Sequence, residues 1–236
     1  MNPRVSIIIP FYNCPYIEQA VQSALDQSYT NIEVIVVDDG STQHAERLAP
    51  YRSHIYYLGK ANGGTASALN HGIRHASGDY VAWLSSDDKF HPDKVAVQLQ
   101  FMQARGAAIS HTNFSYIDEH SQVTQHGAGM PPMELNVLLH TFLGGNPVNG
   151  CTVMMHRSLV QQVGIFDEQL PYTHDYDLWH RVLLSRTAFP YVEIPLTFYR
   201  KHGGMGTLRH QSAISAEIQF LQDRYRAALT HLIATS

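Results

Sequence analysis

Residues 32–42, IEVIVVDDGST, decide the fold. From Ile32 to Val37 the run is apolar except at Glu33 and rich in β-branched side chains. It lacks the polar alternation of a half-exposed strand, so it reads as a strand buried on both faces, as in a parallel sheet. Two carboxylates, Asp38 and Asp39, end it, and Gly40-Ser41 follow as a turn. Toward the N-terminus, VSIIIP at 5–10 is a second run of the same kind. Between them Ile17, Ala20, Val21, Ala24 and Leu25 recur at i, i+3, i+4, i+7 and i+8, which predicts an amphipathic helix.

The alternation continues toward the C-terminus. A helical segment is expected after Ser41 and a short strand at Ile55–Leu58. Asn62-Gly63-Gly64-Thr65 open a helix that carries Ala66, Leu69, Ile73 and Ala76 on one face. YVAWL at 80–84 is another strand, and Pro92 suits the first turn of a helix through Val95, Leu99 and Met102. This pattern predicts right-handed βαβ units around a mostly parallel sheet flanked by helices. Ligands bind such sheets at the carboxyl ends of the strands. Further on, Ala107–Asp118 and Cys151–His156 predict strands, and residues 120–147 predict loops around a short helix at Glu134–His140. His174–Leu184 predicts a helix. The C-terminal stretch places Ile214, Ile218, Leu221, Tyr225 and Leu229 at helical spacing, for packing on the domain or on a partner.

Composition sets limits. The chain has 236 residues, 44% hydrophobic and 15% charged, with a formal net charge of −4. That size and apolar content support a full core, and no basic groove offers itself to nucleic acid. Cys14 and Cys151 make no disulfide framework and are expected as reduced thiols. With no signal-peptide pattern and no apolar run of membrane-spanning length, the expected location is cytoplasmic. Contact with the cytoplasmic membrane face and homo-oligomerisation stay open.

Two acidic pairs, Asp38-Asp39 and Asp87-Asp88, each follow an apolar strand. Parallel strands end on one rim, so the two pairs converge. Carboxylates gathered there suit a hard divalent cation and a nucleotide. Ordinary loop solvation or helix capping is the alternative. Asp175 and Asp177 open a helix, where negative charge is favoured by the dipole in any case. Trp179 reads as core, and His71 and His75 as a surface face.

Four blocks taken in order, VSIIIPFYN at 5–13, IEVIVVDDGST at 32–42, NGGTASALNHGIRHASGDYVAWLSSDD at 62–88 and HDYDLWHRV at 174–182, resemble the family 2 inverting glycosyltransferases. The resemblance spans roughly residues 5 to 202. It implies a GT-A fold, Rossmann-like, in which residues 1–105 form the nucleotide-sugar half, 106–210 the acceptor half and 211–236 a terminal helix. It also implies transfer of a sugar from a nucleotide-sugar donor, a UDP-sugar by preference, to a glycan, lipid-linked or protein acceptor. Pro10, Tyr12, Asn13, Asp39, Asn62, Gly63 and Ser86 would then line the nucleotide pocket. Asp87, with Asp88 and His202, would hold Mn²⁺ or Mg²⁺, and Arg200 is a weaker diphosphate contact. Asp175 would be the general base. Three departures stand out: Ser85 where relatives often have Asp, His174 where Glu is commoner, and Leu69 where many carry Arg. Ser85 and His174 keep a second function in view, a nucleotide-sugar-binding module without turnover.

Overall fold

The structure, a computed structural model, describes residues 2–235. Its first half runs β1 (Val5–Phe11), α1 (Ile17–Leu25), β2 (Ile32–Asp38), β3 (Tyr56–Gly59), α2 (Gly64–His75), β4 (Tyr80–Trp83), β5 (Lys89–Phe90) and α3 (Lys94–Arg105). The second half runs β6 (Ile109–Ile117), β7 (Val123–Gln125), α4 (Leu135–Gly144), β8 (Met154–His156), α5 (Arg157–Val163), α6 (His174–Leu184), β9 (Tyr191–Arg200), α7 (Gly206–Arg209) and α8 (Gln211–Ala234). Among the described residues the strands form one nine-stranded sheet in the order β3-β2-β1-β4-β8-β6-β9-β5, with β7 paired to β6.

The expected parallel core is β3-β2-β1-β4. Beyond it the sheet is mixed: β8 is antiparallel to both β4 and β6, β6 is parallel to β9, and β5 is antiparallel to β9. Register explains the converging acidic pairs. Phe11 pairs with Asp38, Asp38 with Gly59, and Ile8 with Trp83, so β1, β2, β3 and β4 end on a common rim. The chain moves from β1 to β2 and β3 on one side and then returns to β4 on the other. That reversal opens a crevice at the rim.

Both faces of the sheet are covered, as the uninterrupted apolar runs require. Ile8, Ile35 and Val37 belong to a core shared with α2, α4, α5, α6 and α8. Their neighbours Ile7, Ile9, Val34 and Val36 belong to the opposite core, with α1 and α3. The period of two along each strand sends successive side chains into different layers. α8 packs back on α4 and α6.

Local differences from expectation have local causes. The segment after Ser41 forms only a tight 3₁₀ turn over Ala45–Tyr51, because Pro50 lies inside it and cannot continue an α-helix. Cys151 is outside β8, because Asn149 Oδ1 accepts its amide at 2.9 Å and winds Gly150–Thr152 into a turn. Pro92 precedes α3 in a turn that Lys94 N–H closes on the His91 carbonyl at 3.0 Å. α4 extends to Gly144, beyond the expected His140, and β7 adds a short hairpin to β6.

α2 lies close on β1 at Gly72, where an added Cβ would stand 2.5 Å from Ile8 Cγ2 and 3.2 Å from Val37 Cγ2. Helix propensity favours Ala over Gly by about 1 kcal/mol, whereas overpacking a rigid strand costs about 1–3 kcal/mol. Gly72→Ala is therefore expected to lower stability in a urea titration. Equal or higher stability would mean that α2 can lift from the sheet.

Candidate active site

A cleft of about 910 Å³ opens at the rim. Pro10, Tyr12 and Asn13, at the end of β1, line one wall. Asn13 adopts a left-handed backbone conformation (φ 49°), which Asn tolerates better than most residues. Its Oδ1 accepts the amides of Thr42 and Gln43 at 2.8 and 2.9 Å, tying the loop after β1 to the loop after β2.

Asp39 also faces the cleft, with its carboxylate well satisfied by the protein. Lys60 Nζ donates to Oδ1 at 2.6 Å, and the amides of Gly63 and Gly64 donate at 2.7–3.1 Å. Asn62 Nδ2 donates to the Asp39 carbonyl at 3.0 Å. Gly64 has φ +85°, a conformation that lets the start of α2 wrap the carboxylate. Asp38 is turned away, bound to Ser41 N–H at 2.7 Å and to the Tyr57 hydroxyl. Of the first acidic pair, only Asp39 reaches the cleft. Lys60 lay outside the sequence expectations because a lone Lys after a strand carries no pattern.

Both acids of the second pair line the cleft, in different settings. Asp87 Oδ2 lies 3.0 Å from His202 Nε2, beyond the end of β9. Asp88 lies beneath the loop, 2% exposed, with Oδ1 accepting Arg200 N–H at 2.8 Å and its carboxyl in contact with the Cys151 thiol. Burial, and then the neighbouring Asp87, push the Asp88 pKa well above the usual carboxylate range. Ser85 and Ser86 both line the cleft, and the Ser85 hydroxyl is spent on the Cys151 sulfur at 2.9 Å. Arg200 departs from expectation as a diphosphate contact, since its guanidinium is buried and turned inward.

The expected divalent cation can be tested against these side chains. Among the described residues no cluster of three His, Cys, Asp or Glu could hold a metal. Asp87 and His202 nevertheless present a carboxylate oxygen and an imidazole nitrogen to one another on the cleft wall. Their chemistry fits two ligands of a Mn²⁺ or Mg²⁺ ion, which would need further oxygen ligands from outside the protein.

Asp175 sits in the first turn of α6. Asn146 Nδ2 donates to its Oδ2 at 2.9 Å, and its Oδ1 accepts the Tyr176 amide at 2.7 Å. Burial raises its pKa to about 6, partly offset by those two donors. Its neighbour His174 lines the cleft, packed between Trp83 and Phe166 at 5.5 and 5.4 Å between ring centroids. Burial lowers the His174 pKa to about 4, so the imidazole is neutral at pH 7. Asp177 points the other way. It pairs with Arg181 at 2.8 Å and accepts the Tyr225 hydroxyl of α8 at 2.6 Å. Glu217 of α8 accepts the amides of Tyr172 and Thr173, fixing the approach to α6. Asn146 could not be foreseen, because it meets Asp175 only through the packing of α4 beside α6.

A family model described as Glycosyl transferase family 2 matches residues 6–164. An uncharacterized glycosyltransferase of Rickettsia typhi is 39% identical over 80% of this chain and 61% of its own length. The Escherichia coli enzyme WfaP, named UDP-Glc:alpha-D-GlcNAc-diphosphoundecaprenol beta-1,3-glucosyltransferase, is 31% identical over 85% of this chain and 78% of its own. The fold is similar to that of S. aureus TarS 1-349 in a crystal structure with UDP-GlcNAc. The TM-score is 0.69 at 20% identity, over 86% of this chain and 60% of that one. The chain thus spans about three fifths of the length of its Rickettsia typhi relative.

The two acids of α6 are expected to separate in a denaturation experiment at pH 7. Asp177→Ala leaves the Tyr225 hydroxyl without its acceptor and Arg181 with only the Val163 and Ile165 carbonyls, a loss of about 1–3 kcal/mol. Asp175→Asn removes a desolvated charge and should leave stability equal or higher. A large loss with Asp175→Asn and none with Asp177→Ala would reverse the two roles.

Proposed function

The chain belongs to glycosyl transferase family 2, and from that membership we propose that it transfers a sugar from a UDP-sugar to an acceptor hydroxyl with inversion, Asp175 serving as general base. The observation that carries the proposal is the Asp175 carboxyl. It opens α6 beside the cleft-lining His174, its pKa is raised to about 6, and it is ionised yet basic at neutral pH. The UDP-sugar class is supported by the names of WfaP and of the TarS complex. WfaP also supports a lipid-linked sugar as the acceptor class.

The residues would divide the work along the cleft. Pro10, Tyr12, Asn13, Asp39 and Asn62 receive the nucleoside at the β1 and β2 ends. The Asp39 carboxylate already holds the Gly63-Gly64 turn, so its part is to shape that pocket and to offer a remaining lone pair to a ribose hydroxyl or an imide N–H. Ser86 faces the phosphates. Asp87 and His202 would hold a divalent cation, which when bound offsets charge on the departing diphosphate. On the other side Asn146 and the Tyr176 amide orient the Asp175 carboxylate. It takes the acceptor proton as the acceptor oxygen bonds to the anomeric carbon and the bond from that carbon to the diphosphate breaks. Neutral His174 keeps a cation away from this base, so Asp175 retains its proton affinity.

Transfer should rise with pH through about 6 and level off above it, because the deprotonated form of Asp175 is the working one. Asp175→Asn is expected to bind UDP normally and to transfer about 10²–10⁴-fold more slowly. Wild-type turnover in that variant would remove Asp175 from the base role. UDP binding with no transfer by the wild type across lipid-linked and glycan acceptors would favour the binding module. Asp87→Ala should abolish the gain in UDP affinity given by Mn²⁺, measured by calorimetry against a chelator control. An unchanged gain would exclude Asp87 as a ligand.

A further inference from the structure

Arg200 is 1% exposed, and among the described residues no carboxylate pairs with its guanidinium. Neutral oxygens from three separate segments surround it instead. Nε donates to the Asp87 carbonyl at 2.7 Å. One terminal nitrogen donates to the Asp118 carbonyl at 2.9 Å and to Ser121 Oγ at 3.0 Å, in the turn between β6 and β7. The other donates to Gln19 Oε1 of α1 at 2.8 Å. The guanidinium also stands 4.3 Å from the centre of the Tyr16 ring, which meets the His202 imidazole edge-on at 5.1 Å. The Arg200 main-chain amide holds Asp88.

A buried cation is costly unless its donors are all used and some arrangement depends on it. Here one planar fork reaches both sides of the cleft-wall pair. It fixes Asp87 through its carbonyl and His202 through the Tyr16 ring. A lysine ammonium could not span these directions, being a point charge without the rigid fork. Asp88 and Cys151 hold the same loop from the opposite side. We propose that Arg200 is a positioning residue, which touches neither substrate nor cation but fixes the separation and aim of Asp87 and His202. The inference rests on the assignment of those two side chains to a divalent cation.

The test compares UDP affinity by calorimetry, with Mn²⁺ and with EDTA, for wild type, Arg200→Lys and Gln19→Ala, alongside thermal melts. The expected result is a Mn²⁺-dependent gain in the wild type that falls about tenfold in Arg200→Lys, while affinity in EDTA is unchanged. Gln19 is an exposed residue of α1, so Gln19→Ala should melt like wild type and lose roughly threefold of the gain, about one hydrogen bond's worth. It decides the matter if Arg200→Lys fails to fold. Gains equal to wild type overturn the proposal. Equal losses in Mn²⁺ and in EDTA overturn it too, since they mark a role in folding alone. A wild type with no Mn²⁺-dependent gain overturns the cation assignment and this inference together, and does so before any variant is compared.

Discussion

The burial of β1 on both faces is the constraint from which the rest of the molecule follows. Ile8 enters the layer of α2 and α6, while Ile7 and Ile9 enter the layer of α1 and α3. A strand enclosed in this way can satisfy its amides and carbonyls only by pairing on both edges, and β2 and β4 supply those edges. The pairing is parallel, so all three strands stop on one rim. Polar side chains there are held by the loops beyond the strand ends rather than by the sheet. The same enclosure makes a side chain at Gly72 costly.

Charge along the rim is managed by a different device at each acid. Asp39 is neutralised and clamped by Lys60 and two glycine amides. Asp87 faces an imidazole. Burial and then the neighbouring Asp87 favour the proton on Asp88, against the amide and thiol that donate to it. Asp175 receives neutral donors, which offset burial only in part, so it keeps a raised pKa. These differences follow from the number and charge of donors that reach each carboxylate.

The C-terminal helix belongs to this arrangement. Through Tyr225 and Glu217, α8 grips α6 at Asp177 and at the approach to its first turn. The position of Asp175 thus depends on contacts some forty residues along the chain. No helix among the described residues is long and apolar enough to cross a membrane.

The sequence by itself determined the parallel core, the amphipathic helices, the α6 boundaries and the convergence of the acidic pairs. Each of these follows from hydrophobic period and strand direction, which are local properties of the chain. Four blocks in order were enough to suggest the family. Only the tertiary structure decided that Asp38 turns away from the cleft that Asp39 lines, that the Ser85 hydroxyl is spent on Cys151, and that the Arg200 guanidinium turns inward onto neutral oxygens. The same holds for Lys60 on Asp39 and Asn146 on Asp175. Those outcomes depend on which distant donor arrives beside a side chain. Partners such as Asp88 and Arg200 lie 112 positions apart, beyond the reach of any periodicity in the chain.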